Sequence, residues 1–346
     1  MKAAVIEPRD GGTTLTVRDV DEPRTGPRDV LVAVRAAAVN RADLRRAASH
    51  FSASEGAVGP AIGGLEMAGE VTDVGAEVCG VAVGDRIMAM TGGAWAERVS
   101  VDHRLAVAVP RDFDWLQAAA TPISFMTAYD ALADAARLAR GESVLVQGGS
   151  SAAGIAAIQL ARVMGASTVF ATSTTPWKLS MLRELGCHAL GADSRDLAAA
   201  VLDLTDGRGV DVVIDIVGHG VVQQNIDAAA VRGRIICLGR LAGTQGSFDL
   251  DEFSRKRIHM IGVTFRTRSM QERFRVVDRF RDEVLPQLER GEILPVVDRT
   301  FALAAVDEAE RYLQSGKGFG KVIIDLDVAL NAAAIGLTGD KPRPDR

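Results

Sequence analysis

Gly149-Ser150-Ser151-Ala152-Ala153-Gly154 carries the first chemistry legible in this chain. It follows an apolar run, residues 143–147, and precedes apolar residues at helical spacing over 155–164. A helix N-terminus offers unpaired backbone N–H groups and partial positive charge to an anion. Side chains this small let a pyrophosphate approach the backbone. Ser151 stands where G-x-G-x-x-G has its middle glycine, and the same spacing suits a tight βα turn in other doubly wound proteins. A strand before, a helix after and a second strand over 167–172 favour the dinucleotide reading.

The end of that second strand bears on which dinucleotide. Enzymes that take NAD carry Asp or Glu there to accept from the ribose 2′-OH. Here the position is Ser173, followed by Thr174 and Thr175. No carboxylate stands there to repel a 2′-phosphate. The hydroxyls can donate to one, and Lys178 can supply charge. The five histidines, His50, His103, His188, His219 and His259, form no metal-ligand spacing, and no metal is expected.

Positioning these residues takes two kinds of structure. Short β-type runs separated by Gly and Pro fill the first third, with a helix expected over 41–48, and point to an antiparallel barrel or sandwich. From about residue 123 the pattern alternates helix and strand, which means a doubly wound parallel sheet. Strands are expected over 95–101, 210–217, 234–239 and 259–263, and helices over 270–289 and 306–314. A last strand, 321–326, should pack back on the barrel. Residues 331–346 read as a mobile tail.

The 346 residues suffice for two domains. A net charge of −5 offers no basic surface for nucleic acid. Cys79, Cys187 and Cys237 read as buried thiols in a reducing compartment. No apolar run reaches membrane-spanning length and no secretory segment is visible at the N-terminus, so a cytoplasmic location is expected.

Several stretches carry a family resemblance. They are Val39-Asn-Arg-Ala-Asp-Leu44, Gly64-Leu-Glu-Met-Ala-Gly-Glu-Val71, Val83-Gly-Asp-Arg86, Thr127-Ala-Tyr129, the turn and helix over 148–162, and Gly318-Phe-Gly-Lys-Val322. In order and spacing the chain resembles the medium-chain dehydrogenase/reductase superfamily, within it the zinc-free quinone oxidoreductase branch that includes zeta-crystallin. The resemblance implies an α/β architecture: a GroES-like β-barrel catalytic domain (1–122 and 267–330) split around a Rossmann domain (123–266), with the active site between them. It implies NADPH, because a serine and a lysine matching Ser173 and Lys178 bind the 2′-phosphate in that branch. Val217, Leu238, Gly239, Arg240, Thr264 and Phe265 match segments that hold the nicotinamide end. Asn40 matches a cleft residue able to donate to an acceptor carbonyl, and Thr127 one near the nicotinamide ribose. Phe51 stands where relatives have a tyrosine, which removes a candidate proton donor, and His50 beside it is a possible substitute.

Zinc relatives have Gly-His-Glu where this chain has Gly64-Leu65-Glu66. Glu66 is expected to be a buried carboxylate held by an internal arginine. The activity implied is zinc-independent hydride transfer from NADPH to a quinone. The alternatives are an enoyl reductase acting on an α,β-unsaturated carbonyl or thioester, as in polyketide-type biosynthesis, and an NADPH-binding protein with little turnover. A homodimer through the edge of the Rossmann sheet, residues 258–263, is also implied.

Overall fold

The computed structural model describes residues 1–9, 12–45, 60–192 and 197–327. Strands β1 (Lys2–Arg9) and β2 (Gly12–Asp19) pair antiparallel as a ribbon. Then come β3 (Asp29–Val39), β4 (Glu66–Val74), β5 (Arg86–Met90), β6 (Arg98–Asp102) and β7 (Val107–Ala108). Helices α1 (Trp115–Ala120) and α2 (Pro122–Tyr129) follow, and α2 runs on into a wider helical turn over Asp130–Ala135. The middle alternates: β8 (Ser143–Gln147), α3 (Ala152–Val163), β9 (Thr168–Ser173), α4 (Pro176–Glu184), β10 (His188–Gly191), α5 (Leu197–Asp203) and β11 (Val210–Asp215). It continues with α6 (Val222–Ala228), β12 (Ala229–Cys237), α7 (Leu250–Lys256) and β13 (His259–Gly262). The described chain closes with α8 (Met270–Arg279), α9 (Leu285–Glu289), β14 (Val297–Ala302), α10 (Val306–Gln314) and β15 (Lys321–Asp325).

The middle strands form one six-stranded parallel sheet in the order β10-β9-β8-β11-β12-β13. The order reverses between β8 and β11, the point at which open α/β sheets bind ligands beyond the strands' carboxyl ends. Sequence explains its depth. Val144, Leu145 and Val146 of β8 and Val212, Val213 and Ile214 of β11 are all fully buried, as continuous β-branched runs covered on both faces must be.

The seven-stranded sheet draws from both ends of the chain, in the order β14-β15-β3-β4-β5-β7 with β6 also on β3. The pairing of β15 with β3 sets Val322 opposite Val39, which brings the chain's far end beside Asn40. Trp95 plugs this sheet, fully buried, its Nε1 donating to the Ala38 carbonyl at 3.1 Å. Gly64 makes room for it: φ is +93° and a Cβ there would lie 2.6 Å from the indole. The mixed α/β fold, a GroES-like unit beside a Rossmann-type sheet, is the one the sequence implied.

The differences are local. Strand β14 and helices α6 and α7 carry no clean periodicity and were not among the expected elements. The strand expected from residue 95 begins at Arg98, because Trp95 turns inward. The helix expected over 270–289 forms as α8 and α9 joined without a break by a wider helical turn over Phe280–Val284. Of the helix expected over 41–48, residues 41–42 are a turn, Asp43–Arg45 forms one 3-10 turn, and residues 46–48 lie outside the described residues. So do Phe51, His50 and the expected tail. Cys79 is exposed rather than buried.

Candidate functional site

A cavity of about 1030 Å³ runs between the two sheets. Its floor is the phosphate turn. Ser151 caps α3: its Oγ accepts from Gly154 N at 3.2 Å and donates to the Gly148 carbonyl at 2.9 Å. The serine in the middle-glycine position is therefore a helix cap, and the first N–H groups of α3 have no partner within the helix. Gly149 and Gly154 sit beneath the cradle. A Cβ on Gly154 would lie 2.6 Å from the Gly148 oxygen and 2.8 Å from Gly149 Cα, and one on Gly149 would lie 2.8 Å from Ala171 Cβ. Ser150, Ser151, Ala152 and Ala153 line the cavity directly.

Below this floor a chain of buried polar groups ties three strand ends together. Gly148 N donates to Thr172 Oγ1, whose hydroxyl donates to Gln147 Oε1 at 2.7 Å. Gln147 Nε2 donates to Asn225 Oδ1 at 2.8 Å, and Asn225 Nδ2 to Asp215 Oδ2 at 3.1 Å. Asp215 Oδ1 accepts from Val217 N and Gly218 N at 2.9 and 2.8 Å. Burial raises the Asp215 carboxyl above its ordinary range, opposed by these hydrogen bonds. The network holds the turn after β11 at a fixed height over the cradle.

Val217, Leu238, Gly239, Arg240, Thr264 and Phe265 all line the cavity, as do Asn40 and Thr127. At the other end lie Ser173, Thr174 and Lys178. Lys178 is only 4% exposed. Its Nζ donates to the Gly316 carbonyl at 2.5 Å, in the loop before β15, and burial lowers its pKa. Gly320 N donates to the Ser150 carbonyl at 3.1 Å, so the same loop also touches the phosphate turn.

Beside Asn40, behind the cavity wall, lies a carboxylate whose partner sequence reading missed. Glu66, fully buried, pairs with Lys321 Nζ at 2.5 Å. The expected arginine is thus a lysine. Lys321 also donates to Asn40 Oδ1 at 2.7 Å and Ser124 Oγ at 3.2 Å. Asn40 Nδ2 donates to Glu66 Oε1 at 2.9 Å, and Ile123 N to Glu66 Oε2 at 2.7 Å. One amide hydrogen of Asn40 is thereby committed, leaving its second. Asp43 accepts from Asn40 N at 2.6 Å. Burial, with Glu66 and Glu310 nearby, pushes its carboxyl up to about 8 against the pull of the Asn40 N–H and Lys321.

A dinucleotide fits this arrangement. The glycine cradle admits no Cβ, and Gln224 Oε1, buried on the cavity wall, has no hydrogen-bond donor among the described residues, as suits an acceptor awaiting a ligand. Zinc does not fit. Among the described residues no three His, Cys, Asp or Glu side chains are grouped for a metal. Glu66 is already held by an ammonium and two N–H donors.

Fold and cleft together define a nucleotide-binding oxidoreductase. The family model described as "Alcohol dehydrogenase GroES-like domain" matches residues 26–111, and the one described as "Zinc-binding dehydrogenase" matches residues 152–281. The spectinabilin polyketide synthase system protein NorB of Streptomyces orinoci is 32% identical over 94% of this chain, which spans 14% of that protein's length. The crystal structure of JamJ enoyl reductase in its apo form is 30% identical, with 90% of this chain and 95% of that chain covered and a TM-score of 0.77. A quinone oxidoreductase from Pseudomonas syringae pv. Tomato DC3000 shares the fold at 24% identity, with 94% and 100% covered and a TM-score of 0.82. The chain belongs to the medium-chain dehydrogenase/reductase superfamily. Among the described residues no helix is long and apolar enough to cross a membrane.

Proposed function

We propose that this chain is an NADPH-dependent reductase of α,β-unsaturated carbonyl compounds or thioesters, acting without a metal. The observation that carries this reading is the 30% identity to an enoyl reductase over 95% of that chain. The match to a polyketide synthase protein over 94% of this chain agrees with it.

The cradle at α3 would take the pyrophosphate on backbone N–H groups. Ser173, Thr174 and Lys178 would receive the 2′-phosphate, and no carboxylate at Ser173 opposes it. Val217, Leu238, Gly239, Arg240, Thr264 and Phe265 would hold the nicotinamide end, with Thr127 beside its ribose. NADPH supplies the hydride when bound. The protein's part is to hold the acceptor's carbonyl near Asn40 and to keep water from the reacting face. Leu65, Met90 and Ile123 line that end of the cleft and suit an acyl or ring substrate.

A quinone acceptor is the second reading, favoured by the segment Thr264-Phe-Arg-Thr-Arg-Ser269, which resembles quinone reductases of this branch. We further propose that copies pair through β13, where Met260 is 37% exposed on the sheet edge. The test is NADPH consumption with an N-acetylcysteamine 2-enoyl thioester, 2-cyclohexen-1-one and 1,4-benzoquinone. Turnover of the first two supports the enone reading. Turnover of the quinone alone supports the second. Tight NADPH binding with no turnover supports a non-catalytic role.

A further inference from the structure

Ser124 is 2% exposed yet lines the cleft. It lies in α2 three residues before Thr127, so both hydroxyls fall on the same helical face. Its Oγ accepts a hydrogen bond from Lys321 Nζ at 3.2 Å. Among the described residues its own hydroxyl hydrogen has no acceptor. Lys321 has three N–H groups, and its three contacts, to Glu66, Asn40 and Ser124, use them all. The lysine is therefore locked in place, and its charge polarises a hydroxyl on the cleft wall. A buried hydroxyl that accepts from an ammonium and donates to nothing is rare. A ligand carrying an acceptor oxygen is what completes it.

We infer that Ser124 is a further catalytic residue, donating its hydroxyl hydrogen to the carbonyl oxygen of the acceptor. Lys321 is the positioning residue behind it. The inference rests on the reading that the cleft reduces a carbonyl-conjugated acceptor, and it extends to a quinone oxygen without change. As hydride adds to the β-carbon of an enone, the carbon–carbon π pair shifts toward the carbonyl and the oxygen gains negative charge. Ser124 O–H, backed by the Lys321 ammonium, lies in a dry site where a fixed donor stabilises that enolate oxygen best. The α-carbon then takes its proton from water, so no additional acid is required.

The experiment compares Ser124→Ala and Ser124→Thr with the wild type, using NADPH and 2-cyclohexen-1-one, with 1,4-benzoquinone as a second acceptor. Ser124→Ala is expected to lower kcat roughly 10²-fold, the scale seen when one oxyanion donor is removed, with KM for NADPH unchanged. Ser124→Thr, which keeps the hydroxyl, should recover most of that loss. Binding of cyclohexanone to the NADPH complex, read by ligand-detected NMR, should weaken in Ser124→Ala and not in Ser124→Thr. If Ser124 serves only to fill the lysine's third N–H, the alanine variant will melt at a lower temperature while kcat stays within two- to three-fold, and the inference is overturned. Wild-type turnover reports separately on the functional reading: absence of turnover with both acceptors removes that reading and this inference with it.

Discussion

Replacing Lys178 by Met tests the coenzyme assignment most sharply. In the structure the ammonium is buried and donates to the Gly316 carbonyl at 2.5 Å, at the end of the cleft that Ser173 also lines. A 2′-phosphate arriving there would gain a charge-assisted hydrogen bond, worth about 1.5–3 kcal/mol net. Removing it should weaken NADPH about ten- to hundred-fold, toward the lower end because Lys178 must share itself with Gly316. NADH lacks the phosphate and should bind as before. Thermal stability should fall a little, since methionine leaves the Gly316 carbonyl without its donor, at roughly 1 kcal/mol. The assay is fluorescence titration of both coenzymes against wild type and Lys178→Met. An equal loss for NADPH and NADH would refute the reasoning, because it would mean that the side chain only braces the loop before β15. Tighter NADH than NADPH binding by the wild type would refute the assignment outright.

Three other perturbations have defined outcomes. Gly154→Ala puts a Cβ 2.6 Å from a backbone oxygen that no rotamer change can move; urea unfolding should show about 1–3 kcal/mol lost, and NADPH affinity should fall with it as the cradle shifts. Lys321→Met leaves Glu66 charged and fully buried without a cation, which should cost about 3–5 kcal/mol, whereas Lys321→Met with Glu66→Gln should recover much of that in the same unfolding assay. Asp43 has its folded pKa raised to about 8, above the unfolded value of about 4. The native state therefore holds one more proton between these values, and stability falls as pH rises through that window. Asp43→Asn should flatten this slope, making the variant relatively more stable at alkaline pH than at acid pH; parallel melting curves across the range would contradict the cause assigned to the shift.

How far the sequence alone reached can be seen in particular residues. The βαβ unit was legible because its signals are local: a buried apolar run, a small-residue turn and helical spacing all lie within 143–172. Ser151 looked like a flaw in the glycine pattern and proved to be the helix cap, since a hydroxyl that accepts from Gly154 N does for α3 what a glycine cannot. Glu66 was correctly singled out as a carboxylate needing a partner, but the partner, Lys321, was not recognised. The reason is distance along the chain. Lys321 is 281 residues from Asn40, and only the antiparallel pairing of β15 with β3 brings them together. Ser124 carried no signal of its own, because a lone serine in an apolar helix reads as a tolerated polar residue until its neighbours are known. Strand β14, with sequence VDRTFA and no fully buried side chain, is an edge strand whose charges mask its period. In α7 the sequence LDEFSRK leaves little apolar stripe to detect.

The central claim is that this cleft carries hydride from NADPH to the carbon of a carbonyl-conjugated acceptor. The direct measurement supplies NADPH deuterated at the transferring C4 position with 2-cyclohexen-1-one and locates the label in the product by mass spectrometry and NMR. The account predicts cyclohexanone carrying one deuterium at the β-carbon, with slower turnover than unlabelled NADPH gives. Unlabelled cyclohexanone, or label retained in the oxidised coenzyme, would contradict it.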